Sequence, residues 1–380
     1  MKKRIALLGA TGSIGKNAVD IILRNEGNDN FEVVLLTAHS SRRDLDILSG
    51  QFPNALCVLT GEANGNEALL SAIKNLKPDI TINGISGAAG LMPSFAAIKA
   101  GSHLALANKE SIVMAGQLVI RTANENNVKI IPVDSEHSAI FHLLKFFTQE
   151  QHIKNKLISE VILTASGGPF RNFSIEEMKK VTIEETLAHP TWNMGKKITI
   201  DSASMANKGL EIMEANALFC MPPDKIKVVI HPQSIIHSMI RLCNGVIYAQ
   251  LSKPDMRHPI HDALYWPKTI PCNLEPVCFD SLSLDFFKPD LQKFPMLNHA
   301  RTAAEKGALY PCVYNAANET AVAAFIDKKI GFTDIPLVTE NVLQADWTGD
   351  SFDLEAILNA DTNARIKAAE YINNGIKPYK

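Results

Sequence analysis

The segment Arg4–Arg24 constrains the fold of this chain most. Arg4–Leu8 is an apolar run of strand length, Gly9-Ala10-Thr11-Gly12-Ser13-Ile14-Gly15 follows, and Asn17–Arg24 continues at helical period. Strand, glycine turn and helix in that order is the context that gives a glycine pattern meaning. Glycines let the backbone approach a pyrophosphate closely, and the helix start supplies N–H groups and the positive end of a dipole. The spacing is GxxGxxG rather than GxGxxG, so a simple tight turn is the plainer alternative.

The alternation goes on. Glu32–Thr37, Leu56–Leu59, Ile80–Asn83, Leu104–Ala107 and Val128–Val133 read as strands. Glu67–Leu76, Met92–Ala100 and Glu110–Asn126 read as helices between them. Such alternation predicts an α/β fold with a doubly wound, Rossmann-like parallel sheet, its ligands at the C-terminal ends of the strands. The second strand runs into Ala38-His39-Ser40-Ser41-Arg42-Arg43 with no acid before Asp44. The hydroxyls of Ser40 and Ser41 and two guanidiniums favour NADP over NAD, with His39 beside them at the cofactor, because a 2′-phosphate takes donors and positive charge where a free ribose takes a carboxylate. A solvated helix start capped by Ser is compatible with the same residues.

With 380 residues the chain exceeds one hydrophobic core, so two or three domains are expected. A net charge of −2 gives no general attraction to nucleic acid or to an anionic membrane surface. The apolar runs are too short to span a bilayer, and the apolar stretch after the basic N-terminus runs straight into the glycine turn, unlike a signal peptide. Six cysteines without a CxxC pair suit neither a disulfide framework nor a zinc site, and a reducing, cytoplasmic setting is expected.

Val133–Phe141, VDSEHSAIF, carries the next signal. Asp134 and Glu136 follow a buried strand and precede an amphipathic run, Ser138–Phe147. Two apart on an extended segment, they point to the same side and can hold a hard divalent cation; the plainer reading is two caps of the following helix facing solvent. Lys109 stands at the end of an earlier strand, where it reads as a substrate contact or a surface lysine. Ala165-Ser166-Gly167-Gly168 is a weak anion-nest pattern at a strand end. The stretch 188–196, with His189, Trp192 and Met194, has no period and reads as a lid, or as a loop pinned by a buried Trp. Ile198–Asp201 reads as a strand, and a helix entered through Ser202–Glu211 lasts to about Phe219. Asn207, Lys208 and Glu211 share one helix face. Ser202, Asn207 and Lys208 offer donors to a phosphate, and Glu211 offers a third carboxylate; an ordinary Lys–Glu surface pair is the alternative.

Ser234–Ser252 reads as a hairpin about Asn244-Gly245, outside the parallel sheet. Most histidines nearby read as structural, since no HxH or HExxH spacing occurs. Pro254–Pro295 reads as an irregular connector. Leu297–Lys306, Val313–Lys328, Ile335–Gln344 and Leu354–Ile372 read as a four-helix tail with no catalytic set.

GATGSIG, ALANKES, VDSEHSAIF, ASGGPFR, HPTWNMGKKITIDSASMANKGLE and HPQSIIHS together resemble, in order and spacing, the 1-deoxy-D-xylulose 5-phosphate reductoisomerase family. The resemblance spans essentially the whole chain. It implies an NADPH-binding domain over 1–133, a central α+β catalytic domain over 134–266 with the lid at 188–196, a linker over 267–294 and a helical C-terminal domain over 295–380. It implies a homodimer and magnesium or manganese held by Asp134, Glu136 and Glu211. Lys109, Glu136, His189 and Trp192 take catalytic places. Lys109, Ser135, Glu136, Ser166, His189, Trp192, Met194, Ser202, Asn207, Lys208 and Glu211 line the substrate, with Ser166, Ser202, Asn207 and Lys208 about its phosphate. Thr11, Gly12, Ser13, Ile14, Asn108, Glu110 and Gly195 fall at the cofactor. Where the family often has a Gly-x-Asn turn, this chain has Ala38-His39-Ser40-Ser41. The implied reaction cleaves and rejoins the sugar-phosphate skeleton, then reduces the branched aldehyde, a step toward isoprenoid precursors. A semialdehyde dehydrogenase would need a catalytic Cys, and no cysteine lies in a motif; a sensor without turnover would not need three separated carboxylates.

Overall fold

Six parallel strands form the sheet of the first unit: β1 (Lys3–Leu8), β2 (Phe31–Ala38), β3 (Leu56–Leu59), β4 (Ile80–Asn83), β5 (His103–Leu106) and β6 (Ile130–Pro132), in the order β3-β2-β1-β4-β5-β6. The computed structural model describes residues 2–24, 30–147 and 157–376. The order reverses between β1 and β4, the switch point where doubly wound sheets bind ligands. Ile5, Leu7, Leu8, Ile80, Ile82 and Leu104 are at most 1% exposed. Burial on both faces explains why these strands read as unbroken apolar runs, each large side chain contributing about 1.5–3 kcal/mol. Helices Ser13–Leu23, Arg42–Gln51, Gly65–Leu76, Leu91–Lys99 and Lys109–Glu125 connect the strands.

Packing does not follow chain order. The first unit comprises Met1–Ser111, Val119–Ser138 and Asp255–Glu275; the second comprises Ile112–Leu118, Ala139–Pro254 and Pro276–Lys380. The segment read as an irregular connector contains a helix, Arg257–Tyr265, which joins the first unit. Arg257 Nη1 lies 3.0 Å from Asp20 Oδ2, Lys3 Nζ donates to the carbonyls of Leu264 and Trp266, and the Tyr265 ring meets Phe31 at 4.9 Å. Its prolines concealed it. Pro259 sits in the first helical turn, where a missing N–H breaks no intrahelical bond.

The second unit holds a mixed sheet in the order β10-β9-β7-β8: β7 (Ile158–Ala165), β8 (Ile226–Ile230), β9 (Ile236–Leu242) and β10 (Ile247–Leu251). β7 pairs parallel with β8 and antiparallel with β9, and β9 returns antiparallel as β10 through Asn244-Gly245, where Gly245 has φ +87°. Four tail helices, Met296–Lys306, Tyr310–Ile326, Asp334–Leu343 and Leu354–Gly375, match those expected. Tyr310–Ile326 is buried on most of its surface, including Tyr314, Ala317, Val322 and Phe325.

Two local expectations are corrected. Ile198–Asp201 is not a strand but lies in the helix Lys196–Ala203. Its β-branched residues suggested a strand; burial of Thr199, Ile200, Asp201 and Ala203 on that helix outweighs their modest helix penalty. Asp134 and Glu136 are not on an extended segment, because β6 ends at Pro132 and a helix, Ser135–Phe147, starts at once.

Candidate active site

At the end of β1, Gly9 has φ +76°, and a Cβ there would meet the Gly84 carbonyl oxygen at 2.8 Å. A Cβ on Gly15 would lie 2.3 Å from the Ala10 carbonyl oxygen, so the helix Ser13–Leu23 rests directly on the turn. The Gly9 N–H donates to Thr37 Oγ1 at 3.0 Å and the Ala10 N–H to the Thr37 carbonyl at 2.7 Å, tying the turn to β2. Gly12 and Ser13 are exposed, Thr11 and Ile14 half-buried, and no side chain caps the helix start. Backbone amides at an uncapped helix start, on a turn only glycine can make, suit a dinucleotide pyrophosphate. At the end of β2, His39, Ser40 and Ser41 are exposed. His39 Nδ1 lies 3.2 Å from Thr60 Oγ1, and Arg42 pairs with Glu62.

Asn108 closes the β5 end. Its Nδ2 donates to the carbonyls of Ile85 and Gly87 at 2.7 and 2.8 Å and lies 3.0 Å from Glu110 Oε2. Its Oδ1 accepts the Ser111 N–H at 3.0 Å and so caps the helix Lys109–Glu125. Asn108 and Glu110 are buried, and Asn108 holds backbone and the Glu110 carboxylate, which makes the pair part of the frame at this end of the sheet.

The cap delivers Lys109 to Asp134: Nζ to Oδ2 is 2.6 Å, with the side chains 4% and 11% exposed. The other oxygen, Oδ1, lies 3.0 Å from His137 Nδ1 and accepts the Glu136 N–H at 3.2 Å. Asp134 thus caps the helix Ser135–Phe147 while half-buried rather than facing solvent. Burial pushes its pKa up, but the Lys109 ammonium and His137 outweigh burial and hold the carboxyl well below the usual carboxylate range. Ser135 Oγ donates to Glu136 Oε2 at 2.5 Å. His137, fully buried, is a functional neighbour that sequence reasoning passed over; its signal was the three-residue spacing from Asp134 at a helix start.

In the second unit, Ser166 ends β7. Its Oγ lies 3.0 Å from His189 Nε2 and accepts the Gly168 N–H at 3.2 Å. His189 Nδ1 accepts two backbone N–H groups, from Thr191 at 3.1 Å and Trp192 at 2.9 Å. Two donors on Nδ1 select the neutral ring with its proton on Nε2, aimed at Ser166. Burial lowers the imidazole below its usual range, in keeping with that state. Trp192 and Met194 are half-buried and Gly195 is exposed. The Trp192 ring lies 6.3 Å from the ring of His237, which is buried and 2.9 Å from Ser252 Oγ. His231 is structural: Nδ1 lies 2.9 Å from the Asp285 carbonyl, and Nε2 accepts from the Ile235 and Ile236 amides.

Ser202 sits in the last turn of Lys196–Ala203. Met205, at φ +63°, turns the chain into the helix Ala206–Phe219. On that helix Asn207 Nδ2 donates to Glu211 Oε1 at 2.6 Å, and Lys208 Nζ lies 2.5 Å from Glu211 Oε2. Glu211 is 1% exposed and Lys208 4%, so this is not a surface pair. The shared face read from the three- and four-residue spacing is present. Asp134 and Glu136 belong to the first unit and Glu211 to the second, and Asp134 and Glu211 are each paired with a lysine of their own unit.

Models of three domains match the chain: 1-deoxy-D-xylulose 5-phosphate reductoisomerase over 5–64 and 58–116, its C-terminal domain over 130–219, and the DXP reductoisomerase C-terminal domain over 251–367. A 1-deoxy-D-xylulose 5-phosphate reductoisomerase of Treponema denticola is 47% identical over 372 residues, 96% of either chain. One of Pelodictyon phaeoclathratiforme is 44% identical over 97% of this chain and 100% of its own. Among solved structures, the reductoisomerase from Zymomonas mobilis in complex with NADPH superposes with TM-score 0.88 at 40% identity, covering 98% of this chain and 100% of that one. A DOX-P reductoisomerase in complex with NADPH, fosmidomycin and magnesium gives TM-score 0.89 at 36% identity over 98% of both chains. This chain belongs to the 1-deoxy-D-xylulose 5-phosphate reductoisomerase family.

Proposed function

We propose that this chain converts 1-deoxy-D-xylulose 5-phosphate to 2-C-methyl-D-erythritol 4-phosphate, using NADPH and a magnesium or manganese ion, as a cytoplasmic homodimer. The observation that carries the reading is the pair of carboxylates, half-buried Asp134 and buried Glu211, each oriented by a lysine. With Glu136 they make an all-oxygen donor set of the kind that hard divalent cations take. The cation, when bound, polarises the substrate carbonyl as a Lewis acid, and NADPH supplies the hydride.

The chain's own residues do the rest. The Gly12, Ser13 and Ile14 amides receive the pyrophosphate, with Thr11 beside them and Asn108, Glu110 and Gly195 framing the cofactor. His39, Ser40 and Ser41 lie at the 2′-phosphate end. Lys109 orients Asp134 and Lys208 orients Glu211, and both lysines contact the substrate. Ser135, between two metal-binding carboxylates, contacts a substrate hydroxyl. Ser166, Ser202, Asn207 and Lys208 take the phosphate, away from the breaking bonds, so its binding energy orients the substrate. Neutral His189 donates to Ser166 and holds the backbone of Trp192, and Trp192 and Met194 cover the substrate and exclude water. The edge strand β10, with Ile247 and Tyr248 exposed and Val246 exposed just before it, supports the dimer.

The test is NADPH oxidation with 1-deoxy-D-xylulose 5-phosphate, with and without a chelator. Oxidation that stops with chelator and returns with magnesium or manganese is expected. Oxidation indifferent to chelator would remove Asp134, Glu136 and Glu211 from the reaction.

A further inference from the structure

Asn315-Ala316-Ala317-Asn318-Glu319 lies mid-helix in Tyr310–Ile326, far along the chain from every site motif. Asn315 and Asn318 are nonetheless 0% exposed. Asn is a poor helix former, and a buried amide is unfavourable unless it is bonded. Asn318 has such a bond: its Nδ2 donates to Asp201 Oδ1 at 2.8 Å. Asp201 is 1% exposed, and its Oδ2 lies 3.0 Å from Lys197 Nζ, one turn back on the same helix.

Asp201 immediately precedes Ser202. The Ser202 carbonyl oxygen and Ala203 Cα lie 2.9 and 3.1 Å from where Gly168 would carry a Cβ. The end of the helix Lys196–Ala203 is therefore wedged between the Ser166–Gly168 turn and the amide of Asn318. One turn before Asn318, on the same face of its helix, stands Tyr314. Its hydroxyl donates to the Met296 carbonyl at 3.2 Å, lies 3.4 Å from the Ala206 carbonyl and sits 2.5 Å from where Gly209 would carry a Cβ. Tyr314 and Asn318 thus brace the two helices on either side of the Ser204–Met205 corner: one carries Ser202, the other Asn207 and Lys208. A directional bond to a charged group fixes rotation of the short helix about its axis, which an apolar contact does not.

We propose that Asn318 is a positioning residue for phosphate binding: through Asp201 it sets Ser202 against Ser166, Asn207 and Lys208. This rests on the reading of those four residues as the phosphate set.

Asn318→Leu keeps the branched outline and removes the donor. The swap Asp201→Asn with Asn318→Asp restores a donor–acceptor pair in the reverse sense. Three readouts apply to the full-length protein: KM and kcat with 1-deoxy-D-xylulose 5-phosphate, NADPH affinity, and inorganic phosphate binding by phosphorus NMR line width, which needs no turnover. Asn318→Leu is expected to raise KM and weaken phosphate binding roughly tenfold, the scale of one charge-assisted hydrogen bond. NADPH affinity stays unchanged and kcat stays within about threefold; the swap recovers most of the KM effect. A folded Asn318→Leu with wild-type KM and phosphate affinity overturns the proposal, as does a loss shared equally by NADPH binding. Should Asn318→Leu not fold, the swap decides: wild-type phosphate affinity supports the role, and a folded swap without it refutes it. A wild-type protein that binds phosphate but does not turn over the sugar phosphate would sink the substrate reading instead, and the phosphate measurement would still judge Asn318.

Discussion

His189 links Ser166 to the backbone of Trp192: its Nε2 lies 3.0 Å from the serine hydroxyl, and its Nδ1 accepts the Trp192 N–H at 2.9 Å. The two nitrogens do separate jobs, and amide substitutions separate them. In His189→Asn the side-chain oxygen replaces Nδ1, so the loop stays anchored while Ser166 loses its donor. In His189→Gln the amide reaches Ser166 but not the loop. Both are expected to raise substrate KM about tenfold, the scale of one or two lost hydrogen bonds. Fluorine NMR of fluorotryptophan-labelled protein is expected to show a mobile Trp192 only in His189→Gln. Equal mobility in both variants would refute the division.

The same residue gives a pH dependence. Burial lowers the His189 imidazole below its ordinary value of 6.5 in the folded protein. The unfolded chain, or an open loop, therefore binds a proton more readily than the closed loop as pH falls through 6.5, and the closed state loses ground there; above it nothing changes. Substrate KM is expected to be flat above neutrality and to rise on acidification below about pH 6.5. Measuring KM against pH checks this, and His189→Asn is expected to flatten the acid limb.

Removing Lys109 tests the buried pair. Lys109→Met leaves Asp134 as a buried carboxylate with His137 but without its ammonium. Breaking such a pair costs about 3–5 kcal/mol when no relaxation occurs. Asp134 has a depressed folded value, so its contribution to stability is present above the unfolded carboxylate value of 3.8 and is lost as pH falls through the folded value. The variant is expected to unfold in acid at higher pH than the wild type. Turnover is expected to fall at least a hundredfold, about 2.7 kcal/mol of barrier, while NADPH affinity is retained. Acid titrations followed by circular dichroism, alongside rates, decide it.

Glu211→Gln removes a carboxylate but keeps the shape. Metal-dependent turnover is expected to be lost, with NADPH binding within about twofold of wild type, because the substitution subtracts charge only from the cation set. Calorimetric manganese titration should show weakened binding. An equal loss of NADPH affinity would argue against Glu211 as a ligand.

Gly15→Val tests the cofactor turn. The added Cβ would stand 2.3 Å from the Ala10 carbonyl oxygen, so the helix must move off the turn. NADPH affinity is expected to fall at least tenfold, with a stability loss of about 1–3 kcal/mol from overpacking. Gly12→Ala is the contrast. Its Cβ would meet only the Gly9 carbonyl at 3.3 Å, so its effect should fall on cofactor affinity and leave the melting temperature unchanged.

The amino-acid sequence by itself determined the doubly wound sheet, the glycine turn, the hairpin and the helical tail. These rest on local periodicity and on turn residues that act within a few positions. It also placed Asn207, Lys208 and Glu211 on one face, since helical spacing is arithmetic. Tertiary structure decided what spacing cannot express. Lys197–Ala203 is rich in β-branched residues yet helical, because burial of Thr199 and Ile200 outweighs propensity. Arg257–Tyr265 is a helix despite its proline, and it packs beside Asp20, more than two hundred positions earlier in the chain. Lys109 on Asp134, and Asn318 on Asp201 across 117 positions, are polar contacts that only the folded core creates. No sequence period encodes them, because their partners meet through packing rather than through adjacency along the chain.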